Sequence, residues 1–134
     1  MRYSIIILFS LSLINADIHV FNRSTGTQSH IKTLSNSKPL YISAKDIGNS
    51  FTSKVYENSE RQKIVLYISG SKIKISGNSS YIIVNDNAYQ MPKKTLTDSD
   101  DLYVPARYFF DIIKATILPG INFDSMKELL EIDI

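Results

Sequence analysis

Leu102-Tyr103-Val104-Pro105-Ala106-Arg107-Tyr108-Phe109-Phe110 is the stretch on which the fold turns. Its opening residues are bulky, β-prone types that favour a strand. Pro105 then suits the first position of a helix, where its missing N–H costs nothing. Ala106, Phe109, Phe110 and Ile113 recur at helical spacing and predict one apolar stripe. Pro119-Gly120 ends the region.

The same order of residue types occurs earlier. Leu40-Tyr41-Ile42-Ser43-Ala44-Lys45 aligns with Leu102-Tyr103-Val104-Pro105-Ala106-Arg107 at a constant offset of 62. Ser43 and Asp46 have the spacing of a capping box, and Ala44, Ile47 and Phe51 fall on one helical face. Gly48 predicts a short helix. At the same offset, Lys54-Val55-Tyr56 falls on Thr116-Ile117-Leu118. The polar turn Asn58-Ser59-Glu60 has its counterpart in Asp124-Ser125-Met126-Lys127, and Ile64 to Ile68 in Leu129 to Ile134. The economical reading is two related strand–helix–hairpin units, about 40–68 and 102–134. Chance coincidence of two apolar patterns is the alternative.

Between these units the chain reads as a meander. Lys63-Ile64-Val65-Leu66-Tyr67-Ile68 is rich in β-branched and aromatic residues, and Lys72-Ile73-Lys74-Ile75 alternates strictly, with one solvated face. Ser69-Gly70-Ser71, Gly77-Asn78-Ser79 and Asn85-Asp86-Asn87 punctuate it as turns. Tyr81 to Val84 and Ala88 to Met91 complete the run. Ile18 to Asn22 and Gln28 to Leu34 are strand candidates ahead of the first unit. The expected class is α+β, mainly antiparallel sheet with two short helices.

Arg2 precedes an apolar run, Ile5 to Leu13, of about ten residues, the arrangement of a signal peptide. It is shorter than the roughly 20 residues of a spanning helix. Residues 1–16 are therefore expected to be removed before Asp17, leaving a domain over 17–134 with no stable membrane span. A buried first strand and an uncleaved anchor are the alternatives. Removal takes away one of fifteen basic groups and none of the thirteen acidic ones. The near-neutral remainder gives no argument for nucleic acid as a partner. With no cysteine, disulfides and thiolate metal sites are excluded.

The segment Leu102 to Phe109 resembles the strand-to-helix signature of the copper amine oxidase N-terminal-like domain, also called a stalk domain. Tyr81-Ile82-Ile83-Val84-Asn85-Asp86-Asn87-Ala88-Tyr89 resembles the strand, asparagine turn and strand that lead into its second unit. The resemblance covers Leu40 to Ile134. It implies a non-catalytic module of exported bacterial proteins, often found beside cell-wall hydrolases such as N-acetylmuramoyl-alanine amidases. The family name implies no copper chemistry in the module itself.

The residues agree that chemistry is scarce. His19 and His30 are the only imidazoles, too few for amine oxidase copper, and the first expectation is solvent-facing strand residues. Asp98-Ser99-Asp100-Asp101 lacks the glycine and distal glutamate of a calcium loop and reads as a solvated turn. Neither a nucleophile elbow nor a Gly-rich phosphate loop occurs. No catalytic, cofactor-binding or metal-ligating residue is expected. Tyrosines are the remaining hint: Tyr41, Tyr67, Tyr81, Tyr89, Tyr103 and Tyr108 exceed what a small core needs, and such rings suit contact with sugars or protein. Tyr103, Arg107 and Tyr108 are the candidate contact residues. Ile18 to Asn22 and Leu129 to Ile134 are candidate free strand edges.

The expected function is a non-catalytic module at the periplasm or cell envelope of a bacterium, binding or positioning peptidoglycan or a cell-wall hydrolase. The alternatives are the N-terminal piece of an N-acetylmuramoyl-L-alanine amidase and a structural spacer without ligand.

Overall fold

The computed structural model describes residues 17–34, 38–51 and 53–134. The expected signal peptide, residues 1–16, lies outside them. In chain order the described residues form strands β1 (Ile18–Asn22), β2 (Gln28–Ile31) and β3 (Tyr41–Ser43), followed by helix α1 (Ala44–Ser50). Five strands come next: β4 (Lys54–Asn58), β5 (Lys63–Ile68), β6 (Ser71–Ser76), β7 (Tyr81–Val84) and β8 (Asn87–Gln90). The chain continues through β9 (Leu96–Asp98), β10 (Asp101–Pro105), helix α2 (Ala106–Thr116), β11 (Asn122–Asp124) and β12 (Leu129–Ile132). This is an α+β fold, mostly antiparallel.

Strands β4 to β8 form one antiparallel sheet in sequence order. Two of its hairpins close in two residues, both with positive φ: Ser69 with Gly70, and Asn85 with Asp86. That geometry matches the right-handed twist of the strands it joins. Such tight loops fix register, so inward Ile64, Leu66 and Ile68 meet inward Ile73, Ile75, Ile82 and Val84. Helix α1 lies against the inner side of this sheet. Gly48 permits the approach, because a Cβ there would stand 2.4 Å from Val55 Cγ2 and 2.9 Å from Leu66 Cδ2.

The other strands form orders β11-β12-β1-β2 and β3-β10-β9. Backbone bonds from Ser43 N–H to the Lys32 carbonyl (2.9 Å) and from Leu34 N–H to the Tyr41 carbonyl (3.0 Å) join the two. The matched motifs are neighbours in space: β3 and β10 pair antiparallel, with Ile42 opposite Val104, Tyr41 opposite Pro105 and Ser43 opposite Tyr103. Their hairpins share details too. Gln62 and Glu128 close the two loops, each at φ 52. Asn58 Oδ1 accepts from Arg61 N–H (3.2 Å), as Asp124 Oδ1 does from Lys127 N–H (3.1 Å).

Three expectations are corrected. Thr116-Ile117-Leu118 is the end of α2 and its exit, not a counterpart of the strand Lys54-Val55-Tyr56, because α2 has eleven residues and α1 seven. Pro105 is the N-cap rather than the first helical residue. It offers no side-chain cap, and the Ala106 N–H donates instead to the Leu40 carbonyl at 2.8 Å. Finally, neither β1 nor β12 is a free edge. They pair with each other in parallel, β1 also takes β2 and β12 takes β11, so both sides of each strand are occupied.

Candidate binding face

The two-residue turns that set the core also set what faces water. Side chains alternate across a strand, so fixing Ile64, Leu66, Ile73, Ile75, Ile82 and Val84 inward sends their neighbours outward. One outward row runs Lys54, Tyr67, Lys72 across β4, β5 and β6. The next runs Tyr56, Val65, Lys74, Ile83, Ala88 across all five strands. Asn58, Lys63 and Ser76 make a third, and Tyr81 pairs with Gln90 beyond it. At about 4.8 Å per strand spacing, the face is roughly 19 Å across.

This face carries four lysines and three tyrosines and no carboxylate. Tyr56, Tyr67 and Tyr81 are 58%, 37% and 47% exposed. Tyr56 and Tyr67 meet edge to face, with centroids 5.8 Å apart. Among the described residues the one salt bridge joins Lys45 to Glu57 at 3.2 Å, and Glu57 is on the opposite side of β4. Lys54, Lys63, Lys72 and Lys74 therefore have no acidic partner there. A solvated sheet face ordinarily mixes signs across neighbouring strands, where opposite charges are mutually favourable. Here lysines alternate with rings and aliphatic side chains instead.

The residues singled out from sequence do not converge. Tyr103 is buried on β10, half-buried Tyr108 packs against the core from α2, and Arg107 is exposed on α2. Arg107 borders a cleft of about 500 Å³ with Phe110, Asp111, Lys114 and the β11 segment, and Tyr103 borders a different one. Tyr41 is buried and donates its hydroxyl to the Lys94 carbonyl at 2.7 Å. Tyr67 and Tyr81 reach the sheet face, and so does Tyr56, which sequence reasoning passed over. Parity was the available signal, since the alternation at Lys72 to Ile75 propagates through tight turns to each neighbouring strand.

His19 and His30 are cross-strand partners with ring centroids 4.9 Å apart. No group of three His, Cys, Asp or Glu side chains that could hold a metal occurs among the described residues. Of the run Asp98 to Asp101, Ser99 and Asp100 make the turn, while Asp98 ends β9 and pairs with half-buried Asp101 at the start of β10. Asp101 is committed within it: its carboxylate accepts from the Ser43 hydroxyl, the Lys45 N–H (3.2 Å) and the Leu102 N–H (2.8 Å). Ser43 in turn accepts the Asp46 N–H at 3.1 Å, so α1 begins on a side-chain cap.

A family profile described as the copper amine oxidase N-terminal domain matches residues 22–120. The match begins ahead of the first motif and stops before β11 and β12. No curated protein and no solved structure matches the chain.

Proposed function

The chain belongs to the copper amine oxidase N-terminal domain family, and on that premise we propose that it is a non-catalytic, exported module that holds peptidoglycan against the outer face of β4 to β8. In copper amine oxidases the N-terminal domain is non-catalytic. The observation that carries the binding reading is the row structure of this face: exposed tyrosines interleaved with unpaired lysines, and no acid. Tyrosine rings pack against the apolar C–H faces of sugar rings and keep a hydroxyl for hydrogen bonding. Lysines answer the free carboxylates of the stem peptides. Peptidoglycan offers both chemistries on one extended polymer, and a flat face suits an extended ligand better than a pocket does.

Location at the cell envelope follows from the same reading, together with the leader-like residues 1–16. Among the described residues no helix is long and apolar enough to cross a membrane.

The test is retention on insoluble, purified peptidoglycan, with cellulose and single-stranded DNA resin as controls. Wild-type protein is expected in the peptidoglycan pellet. Tyr56→Ala with Tyr67→Ala should lower retention, as should Lys54→Ala with Lys72→Ala. The lysine contribution should fade as salt shortens the Debye length from about 10 Å at 0.1 M to about 3 Å at 1 M. Retention no greater than on cellulose, or binding to DNA resin alone, would overturn the proposal. In the first case the spacer reading takes its place.

A further inference from the structure

His19 on β1 and His30 on β2 stand directly opposite each other, and three features of the fold hold them there. The first is alternation. Their chain neighbours Ile18, Val20 and Ile31 are buried, so both rings go to the water side of the β11-β12-β1-β2 sheet. The second is the phase of the ladder. Asn22 N–H donates to the Thr27 carbonyl at 2.9 Å, and bonded and non-bonded pairs alternate from there. His19 with His30 is thus a non-hydrogen-bonded pair, the kind whose side chains stand closest. The His19 N–H turns the other way, to the Glu128 carbonyl at 2.9 Å. The third is anchorage. β1 is paired on both sides, and β2 runs into Lys32, whose N–H donates to Asp46 and whose carbonyl accepts from Ser43.

The spacing of the two rings matches a shared metal ion. Their centroids are 4.9 Å apart, edge to face. A metal–nitrogen bond of about 2.0–2.1 Å puts an ion roughly 3.2 Å from each ring centre, and two centres at this spacing subtend roughly 100° there. That lies between the octahedral and tetrahedral angles. Turning a histidine about χ2 moves its nitrogens while leaving the ring centre in place, and that torsion is broad. The spacing therefore survives the change from ring contact to chelation. The surroundings do not oppose a cation. On the next rung Asp17 faces Lys32, of opposite charge, and on the other side lie uncharged Phe21 and Gln28.

We propose that His19 and His30 together chelate one divalent ion of the late first transition series, Cu²⁺ more tightly than Zn²⁺. Imidazole suits these ions, whereas Mg²⁺ prefers oxygen ligands. Among the described residues no third ligand converges with the pair, so water completes the coordination and the ion is exchangeable. Bound there, it clasps β2, the outermost strand of its sheet, to β1. The pair is on a different sheet from the face of β4 to β8, and its test is separate from peptidoglycan retention.

The test uses residues 17–134, which contain every described strand and helix, with the α-amine acetylated so that the chain end supplies no nitrogen ligand. Zn²⁺, Cu²⁺ and Mg²⁺ chlorides are titrated by calorimetry, and the amide resonances of His19, Val20, Ser29 and His30 are followed by NMR with Zn²⁺. One Zn²⁺ per chain should bind and shift these resonances, Cu²⁺ should bind more tightly, and Mg²⁺ should do neither. His19→Ala and His30→Ala, each checked for fold by circular dichroism, should both weaken Zn²⁺ binding at least about tenfold, since either turns a two-point hold into a single one. Zn²⁺ should also raise the thermal midpoint of the wild type and of neither variant. Binding lost with only one of the two substitutions, binding unchanged by both, or an equal response to Mg²⁺ would overturn the proposal.

Discussion

Ile42 and Val104 stand directly opposite each other across the β3–β10 pair, both fully buried, and each holds the same place in its copy of the motif. The two matched segments thus meet at corresponding positions of the sequence, antiparallel to each other. Truncation should show this as coupling. Ile42→Ala should cost about 2–5 kcal/mol. Val104→Ala should be milder. The double variant should depart from the sum by ~0.5–3 kcal/mol, because the residues are neighbours. Urea unfolding of the four proteins measures it, and strict additivity would show that the two side chains do not share a core.

Gly48→Ala is expected to destabilise, against the usual gain from alanine in a helix. The new methyl would meet Val55 and Leu66 well inside contact distance. Overpacking of this kind costs about 1–3 kcal/mol. Val55→Ala should recover part of the loss, because it removes the nearer obstacle.

Asp101→Ala should lower stability by about 1–2 kcal/mol, the usual worth of a helix-capping side chain. It leaves the Ser43 hydroxyl and the Lys45 N–H without their acceptor. Asp100→Ala, one residue away and exposed, should stay within ~0.5 kcal/mol of wild type. Equal effects would show that Asp101 acts through charge alone.

Stability should decline in alkali. Tyr41 and Tyr103 both titrate above the ordinary phenol value of 10.0, burial being the first cause in each. The unfolded chain therefore releases these protons first as pH rises. The stabilisation is complete below about pH 10 and is lost as pH climbs from there toward the folded-state values. Chemical unfolding between pH 8 and 11 should show the decline, and it should be shallower for Tyr103→Phe.

Local signals carried most of what the sequence told. The meander was legible because Ser69-Gly70 and Asn85-Asp86 are turn-formers between alternating strands, and α2 because Ala106, Phe109, Phe110 and Ile113 keep helical spacing. Ser43 was legible as a cap for the same local reason. Long-range pairing was not. Nothing near Ile18 announces Leu129, so two strands that complete each other read as loose edges. A repeat offset taken from the motifs also failed past the helices, whose lengths differ. The binding face was missed for another reason: a near-neutral chain conceals four lysines gathered on one side of one sheet, and only strand parity separates them from the acids.

The parallel pairing of β1 with β12 bears on the order of events during synthesis. Asn22 exchanges hydrogen bonds with the backbone of Ile134, 112 residues later. A chain delivered N-terminus first, from a ribosome or through a translocation channel, holds β1 without one of its two neighbours until Leu129 to Ile132 emerge. Every element between is then already available to fold. Closure of the domain is thus timed by the arrival of its last strand, and a chain halted before Leu129 would present an open, apolar strand to whatever is nearby.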